Sequence, residues 1–444
     1  MPEPRASTVP ATLTQQGAAR FWIAVILTGI GTGVGAAALT KLLELVQRFA
    51  WPGNGVDLLD AARRTSASHH VWILIGAGLV TGLGQLVLRR LSSANGIDIT
   101  EAIGFRGGRL PAVRTLGSAV LSVVIVGMGA SLGREGAPKQ TGAVLANFFS
   151  DRGRLTDDER KLLVACGAGA GMAAAYGVPL GGALFSLEVL RGALALRLVL
   201  PALLTCLVAT AVSWLVLPNA PTYLIPAYSG SISSCVFAAV VAGPIAGLVS
   251  VGYVRLIALA DRSKPKGALR VVAPVIALGL VGALSIAFPQ LLGNGKDVAQ
   301  LAFVGEVTPL LLLALVVLKP LATLLCMGSG APGGLFTPSL SLGAILGGLL
   351  GFVWSHFWPG TPLGLFALLG AAAVLAATTQ GPISAAVLMI ELTGRDRSFI
   401  VPMLLVIAVA TLVSRTIEPR SIYDARLTSE QVAERQKLRD RVVV

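Results

Sequence analysis

Four places in this sequence combine residue types that can bind an anion, and two of them carry an acid. Gly133–Arg134–Glu135–Gly136–Ala137–Pro138 opens an apolar segment running from Lys139 to Phe149. Ala94–Asn95–Gly96–Ile97–Asp98 precedes a short stretch to Gly104. Gly330–Ala331–Pro332–Gly333–Gly334–Leu335–Phe336–Thr337–Pro338 opens a second long apolar segment, and Tyr423 follows the last one. A helix that begins at such a break leaves its first N–H groups unpaired and carries roughly half a positive charge there. Glycine lets the backbone turn so that these groups aim at one spot, and proline suits a first helical turn. Several helix starts converging would hold an anion by partial charges, loosely enough to release it. Any one break reads equally well as a loop or a helix-packing glycine; three together favour the anion site.

The elements that must position these residues are membrane helices. Of 444 residues, 54% are hydrophobic and 13% charged, against about 25% charged in soluble domains. Apolar runs such as Phe21 to Val46, Leu162 to Leu190 and Cys235 to Ala260 exceed the roughly 20 residues a helix needs to cross a bilayer. The 52 glycines and 24 prolines are frequent inside these runs, as close helix packing and broken helices require. The expected fold class is an all-α multi-spanning membrane protein. Residues 1–20 are polar and lack the apolar core of a cleavable signal. The net charge of +13 is a matter of topology rather than nucleic acid. Four basic residues fall in Arg262 to Arg270, four in Asp151 to Lys161, three in Phe105 to Arg114 and seven after Ser414. Pro218 to Ser231 and Ser355 to Leu365 contain none. The basic loops and both termini are therefore expected in the cytoplasm.

A weak internal duplication runs through the chain. Ala173–Ala174–Ala175, Pro179 and Glu188 are echoed by Ala376–Ala377, Pro382 and Glu391. Thr141–Gly142–Ala143–Val144–Leu145 is echoed by Leu342–Gly343–Ala344–Ile345–Leu346 at nearly the same offset of about 200 residues. The expected division is a cytoplasmic segment 1–20, a first membrane repeat 21–217, a second repeat 218–414, and a cytoplasmic C-terminal helix and tail 415–444.

These motifs resemble those of the CLC family of chloride channels and chloride/proton antiporters. Gly133–Gly136 is similar to its GREGP-type signature, Ser329 to Pro338 resembles its GIFAP region, and Tyr423 falls where its filter tyrosine does. Leu162 to Glu188 and Leu375 to Gly394 resemble its paired half-helices, so the likeness covers residues 21 to 427 in order. The resemblance implies two inverted repeats of tilted, partly interrupted helices. The Arg395–Asp396–Arg397 turn would then be external and the Arg191 turn internal. It further implies a homodimer with one anion pathway per subunit, in a bacterial-type inner membrane. Only 21 residues follow Tyr423, so the nucleotide-binding CBS pair of many relatives is not expected. Transport of small inorganic anions is implied, chloride first, in exchange for protons. Tyr423 would offer its hydroxyl to the anion, and the Leu335 and Phe336 amides would complete that shell together with Asn95, Gly96 and Ile97. Glu135 would be the gate. Ionised, its carboxylate occupies an anion site; protonated, it swings out.

The sequence departs from the family pattern at three positions. Asn95 replaces the serine of GSGIP, which leaves fluoride or nitrate open as alternatives to chloride. Asp98 replaces its proline, either as a helix cap or as a group that tunes the inner site or accepts protons. Val189 stands where many proton-coupled members carry an internal glutamate, which makes a passive channel the close alternative. Glu188 is the remaining candidate for a secondary proton role, and Lys319 a candidate counter-charge for Glu391 or another buried acid.

Other classes fit poorly. Ser131 and Ser329 lack a histidine base within the apolar runs, and Gly167, Gly169 and Gly171 lie in a helix with no strand before them. Cys166, Cys206, Cys235 and Cys326 form no pair of metal-ligand spacing, and His69, His70 and His356 read as interfacial. No enzyme activity, cofactor or metal is expected, only anions, protons and lipid as partners.

Overall fold

The computed structural model describes residues 9–10, 13–15, 17–52, 57–92, 97–228, 231–394, 399–424, 427–428 and 430–435. In lipid every backbone N–H and C=O must be satisfied within the chain, and the apolar runs accordingly form helices. Eight of the described helices are long and apolar enough to cross a membrane. The first half contains α1 (Ala18–Ala50), α2 (Leu58–Arg63), α3 (Ala67–Leu91), α4 (Ile99–Phe105), α5 (Ala112–Gly127) and α6 (Gly136–Arg152). It continues with α7 (Asp157–Tyr176), α8 (Pro179–Leu184), a π-helical turn Phe185–Arg191, and α9 (Leu196–Ser213). The second half contains α10 (Ile232–Arg262), α11 (Leu269–Ala287), α12 (Lys296–Val304), α13 (Pro309–Gly328) and α14 (Phe336–Phe357). Then follow α15 (Leu363–Thr379), α16 (Pro382–Thr393) and α17 (Ile400–Ile417). With α2 set aside, α10 to α17 repeat the order of α1 to α9.

The repeat is visible in packing as well as order. α6 meets α7 where Gly142 faces Gly167, and α14 meets α15 where Gly343 faces Gly370; a Cβ at any of the four would overlap the opposite backbone. Such small-residue contacts let helix backbones approach closely where lipid supplies no hydrophobic drive. α15 is buried along its whole length and α7 along most of it. By contrast α3, α11 and α17 turn Trp72, Leu83, Ile276 and Leu412 outward, as a lipid-facing belt would.

The two halves also cap each other. α8 and α16 each begin at a proline, with first N–H groups unsatisfied by their own helix. Glu188, from the π-helical turn after α8, accepts from Ile383 N (3.2 Å), Ser384 N (2.6 Å) and the Ser384 hydroxyl (2.6 Å) at the start of α16. Glu391, from α16, accepts from Leu180 N (3.0 Å) and Gly181 N (2.6 Å) at the start of α8. Two glutamates at equivalent places thus satisfy each other's helices, with carboxylate charge against the positive end of each.

Other buried charges have local partners. Lys319 lies against the carbonyls of Leu291 (2.9 Å), Leu292 (3.3 Å) and Gly293 (3.0 Å) rather than against Glu391. Its three N–H donors suit three carbonyls left over by a short turn. His70 is buried rather than interfacial, tied to the Ser285 hydroxyl and the Ala62 carbonyl at 2.9 Å each. The four cysteines are buried and unpaired. At the end of α17, Glu418 accepts from Arg420 (2.6 and 2.9 Å) and Arg255 (3.0 Å). Those guanidiniums, Arg420 first, outweigh its burial and hold its carboxyl down to about 2. Beyond it, Arg435 pairs with Asp424 (2.7 Å) and donates to the carbonyls of Val189 (2.9 Å) and Leu190 (2.8 Å). The Arg395–Asp396–Arg397 turn lies outside the described residues.

Candidate anion pathway

α5 and α13 both end on a left-handed glycine, Gly129 (φ 107°) and Gly330 (φ 97°), the usual way to stop a helix and turn the chain. The segments that follow meet at the centre of the molecule. Gly133 N donates to Gly334 O and Gly334 N to Gly133 O, both at 2.8 Å. This two-rung antiparallel bridge brings the starts of α6 and α14 side by side. Glu135 precedes the first residue of α6, but its carboxylate reaches across to α14. There it accepts from the Phe336 amide (2.6 Å) and the Thr337 hydroxyl (3.1 Å). It is fully buried. A Cβ on Gly133 or Gly334 would overlap its oxygens, so these two glycines provide the room the carboxylate occupies. The alternative that Glu135 simply pairs with a neighbouring cation is not what the geometry offers. Arg134 stacks over the Tyr176 ring at 4.8 Å, and the two ligands of the carboxylate are neutral donors at a helix start.

A cavity of about 60 Å³ lies next to it. Its walls come from every break singled out in the sequence: Asp98 and Thr100 at α4, Gly136 and Lys139 at α6, Gly334 and Leu335 at α14, and Tyr423. Asp98 caps α4 by accepting from Thr100 N (3.0 Å). Tyr423 stands edge-on to Phe185 at 5.5 Å, and its hydroxyl accepts from Lys139 Nζ at 3.3 Å. Ile97 opens instead onto a separate cleft with Phe105, Arg109 and Asp157. Asn95 and Gly96 lie outside the described residues.

The residues flanking Glu135 open onto different spaces. Gly136 faces the small cavity, whereas Arg134 lines a vestibule of about 830 Å³ with Tyr176, Arg48, Lys296 and Asp297. Tyr176 and Thr337 hydroxyls are 2.9 Å apart, so a chain of hydroxyls links the vestibule wall to the Glu135 carboxylate. Partial burial of Lys296 lowers its proton affinity, and that of Asp297 is raised, again by desolvation first and by the Asp57 charge second.

Val189 is buried, and its carbonyl, not its side chain, is engaged, by Arg435. Thr337, Tyr176 and Lys139 belong to the site but were not assigned roles from the sequence. Thr337 follows Phe336 directly, so the signal was present. Tyr176 and Lys139 meet their partners only through the fold.

Comparison with known proteins gives a consistent picture. A family model described as voltage gated chloride channel matches residues 77–415. The voltage-gated ClC-type chloride channel ClcB of Salmonella typhimurium strain LT2 is 32% identical over 414 residues, covering 91% of this chain and 98% of that protein. ClcB of Citrobacter koseri is 34% identical with the same coverage. Among solved structures, a slow cyanobacterial Cl⁻/H⁺ antiporter superposes with a TM-score of 0.78 at 23% identity, over 94% of this chain and 98% of the other. A CLC-type fluoride/proton antiporter does so at 0.74 and 22%, over 94% and 100%.

Proposed function

Since this chain belongs to the voltage gated chloride channel family, we propose that it moves chloride across a bacterial cell membrane in exchange for protons, with Glu135 as the gate. The observation that carries this is the Glu135 carboxylate at the start of α14, held by the Phe336 amide at 2.6 Å and the Thr337 hydroxyl at 3.1 Å. Donors that bind a carboxylate there also suit a halide of the same charge. Ionised, Glu135 fills the site and separates the vestibule from the cavity beneath Tyr423. Protonation removes its charge, the amide loses its preferred partner, and an anion can take the place. Each anion that enters this way follows a proton that has arrived, which is the basis for exchange. The Leu335 backbone and the Tyr423 hydroxyl form the next station, in the 60 Å³ cavity. Glu188 serves as the cap of α16 rather than as a proton carrier.

A passive channel is the second reading, and Val189 favours it, because an aliphatic side chain at that place cannot relay a proton inward. Fluoride or nitrate remain alternatives to chloride on account of Asn95. The proposal includes a homodimer with both termini in the cytoplasm, as the family resemblance implies. The test is purified protein in liposomes with opposed chloride and pH gradients, recording both ions together. Uphill proton movement driven by a chloride gradient supports exchange; a strictly chloride-Nernstian potential with no proton movement supports the channel. No flux of chloride, fluoride or nitrate would refute both.

A further inference from the structure

We propose that the hydroxyls of Tyr176 and Thr337 are the proton path to the gate, a two-step relay between the vestibule and the Glu135 carboxylate. This rests on the reading of Glu135 as the gate and adds the route by which it gains and loses its proton.

Glu135 is fully buried, so in this arrangement a proton reaches it through a group that already touches its carboxylate. Among the described residues two groups hydrogen-bond it, the Phe336 amide at 2.6 Å and the Thr337 hydroxyl at 3.1 Å. The amide nitrogen shares its lone pair with the carbonyl by resonance, so it holds the carboxylate but passes no proton. A hydroxyl carries one proton and two lone pairs, and so accepts on one side while donating on the other. The direction of donation then follows from counting protons. Thr337 gives its single hydroxyl proton to Glu135 Oε2. Toward the Tyr176 oxygen, 2.9 Å away, it is left as the acceptor, which makes Tyr176 the donor. The chain therefore points one way, from Tyr176 to Thr337 to Glu135, with the Tyr176 oxygen as its accepting end.

Tyr176 is the last residue of α7 and lines the 830 Å³ vestibule. Asp57 and Asp297 on the same walls can collect a proton, while Arg48 and Lys296 offset their charge. Arg134 lies 4.8 Å from the centre of the Tyr176 ring, and its guanidinium disfavours an extra proton resting on the phenol. Transfer therefore runs as one concerted shift. A proton from vestibule water bonds to the Tyr176 oxygen as the Tyr176 O–H proton passes to Thr337. The Thr337 proton passes in the same movement to Glu135 Oε2. Three O–H bonds form and three break, each hydroxyl keeps one proton, and the carboxylate becomes neutral. Rotation of the two hydroxyls resets the chain, and the reverse shift returns the proton to the vestibule.

The experiment places the purified full-length protein in liposomes and records two rates. One is proton movement driven by a chloride gradient. The other is the rise in anion flux after a sudden pH drop, which reads protonation of the gate in an exchanger and a channel alike. Tyr176→Phe keeps the ring beside Arg134 and removes the hydroxyl; it should slow both rates at least about tenfold, as loss of a positioned proton-transfer group does. Thr337→Val should do the same, and Thr337→Ser, which keeps a hydroxyl, should restore most of the loss. With Glu135→Ala already in place, adding Tyr176→Phe should leave anion flux as it is in Glu135→Ala alone. Wild-type rates in Tyr176→Phe overturn this inference and leave the proposed function standing. Equal slowing of anion flux by Tyr176→Phe in the Glu135→Ala background overturns it too, since packing of the pathway then accounts for the effect. If Tyr176→Phe fails to fold, equal rates in Thr337→Val and Thr337→Ser overturn the relay. A wild-type protein that moves no protons and whose anion flux ignores pH removes Glu135 as the gate, and this inference with it.

Discussion

The reciprocal caps of α8 and α16 lead to a prediction that separates structure from proton transfer. Replacing Glu188 by Gln keeps one acceptor oxygen but removes the charge and turns an NH₂ group toward N–H donors. The wild-type carboxylate accepts from Ile383 N, Ser384 N and the Ser384 hydroxyl at 3.2, 2.6 and 2.6 Å. Bonds to a charged acceptor contribute about 1.5–3 kcal/mol each. The charge at a helix start adds about 0.3–1 kcal/mol. Losing one such bond and the charge term costs about 2–4 kcal/mol. Glu391→Gln, with two bonds at 3.0 and 2.6 Å, should fall at the lower end of the same range. Thermal melting of each variant in detergent should therefore drop by several degrees, more for Glu188→Gln. In liposomes both variants should retain the wild-type ratio of protons to anions. If Glu188→Gln instead abolishes proton movement, leaves anion flux and melting unchanged, and Glu391→Gln does neither, then Glu188 is a proton carrier and the capping argument is wrong.

Three further outcomes follow from the same geometry. In Gly334→Ala the new Cβ collides with the Glu135 carboxyl oxygen, so anion efflux should lose its dependence on pH; a profile matching wild type would show that the carboxylate does not rest there. Arg435→Met breaks the buried ion pair with Asp424 and the bonds to the Val189 and Leu190 carbonyls and should cost about 3–5 kcal/mol, releasing the C-terminal segment to limited proteolysis. Adding Asp424→Asn should recover part of that loss, and equal protease sensitivity in both would refute it. Glu418, held down to about 2 by Arg420 and Arg255, is a stronger acid in the fold than in the unfolded chain, so its ionised form stabilises the folded state. That contribution is fully present above the ordinary carboxylate range and is lost as pH falls toward about 2. The stability gap between wild type and Glu418→Gln should therefore be largest near neutral pH and shrink in acid; a constant gap would contradict the ion-pair origin.

Much of the architecture was legible in the residues. Apolar runs and their glycine–proline breaks fixed where helices stop, because a broken helix in lipid must satisfy its ends in one of few ways. The weak echo between Pro179–Glu188 and Pro382–Glu391 marked a repeat whose physical meaning, mutual capping, needed the fold. What composition could not give was the side-chain pairing across the two halves. Lys319 in an apolar run invites a search for an acid, yet its partners are three backbone carbonyls, which no sequence pattern marks. His70 reads as interfacial from its position at the start of an apolar run, but packing against the Ser285 hydroxyl draws it inside. Tyr176 and Lys139 looked like ordinary helix residues, because their neighbours Thr337 and Tyr423 are distant in the chain.

The claim at the centre of the account is that Glu135 alternates with an anion at the start of α14. Glu135→Ala in liposomes, with anion and proton fluxes recorded simultaneously, tests it most directly. The account predicts that anion movement continues, no longer varies with pH, and carries no protons with it. Proton movement still driven by the anion gradient in that variant would contradict it.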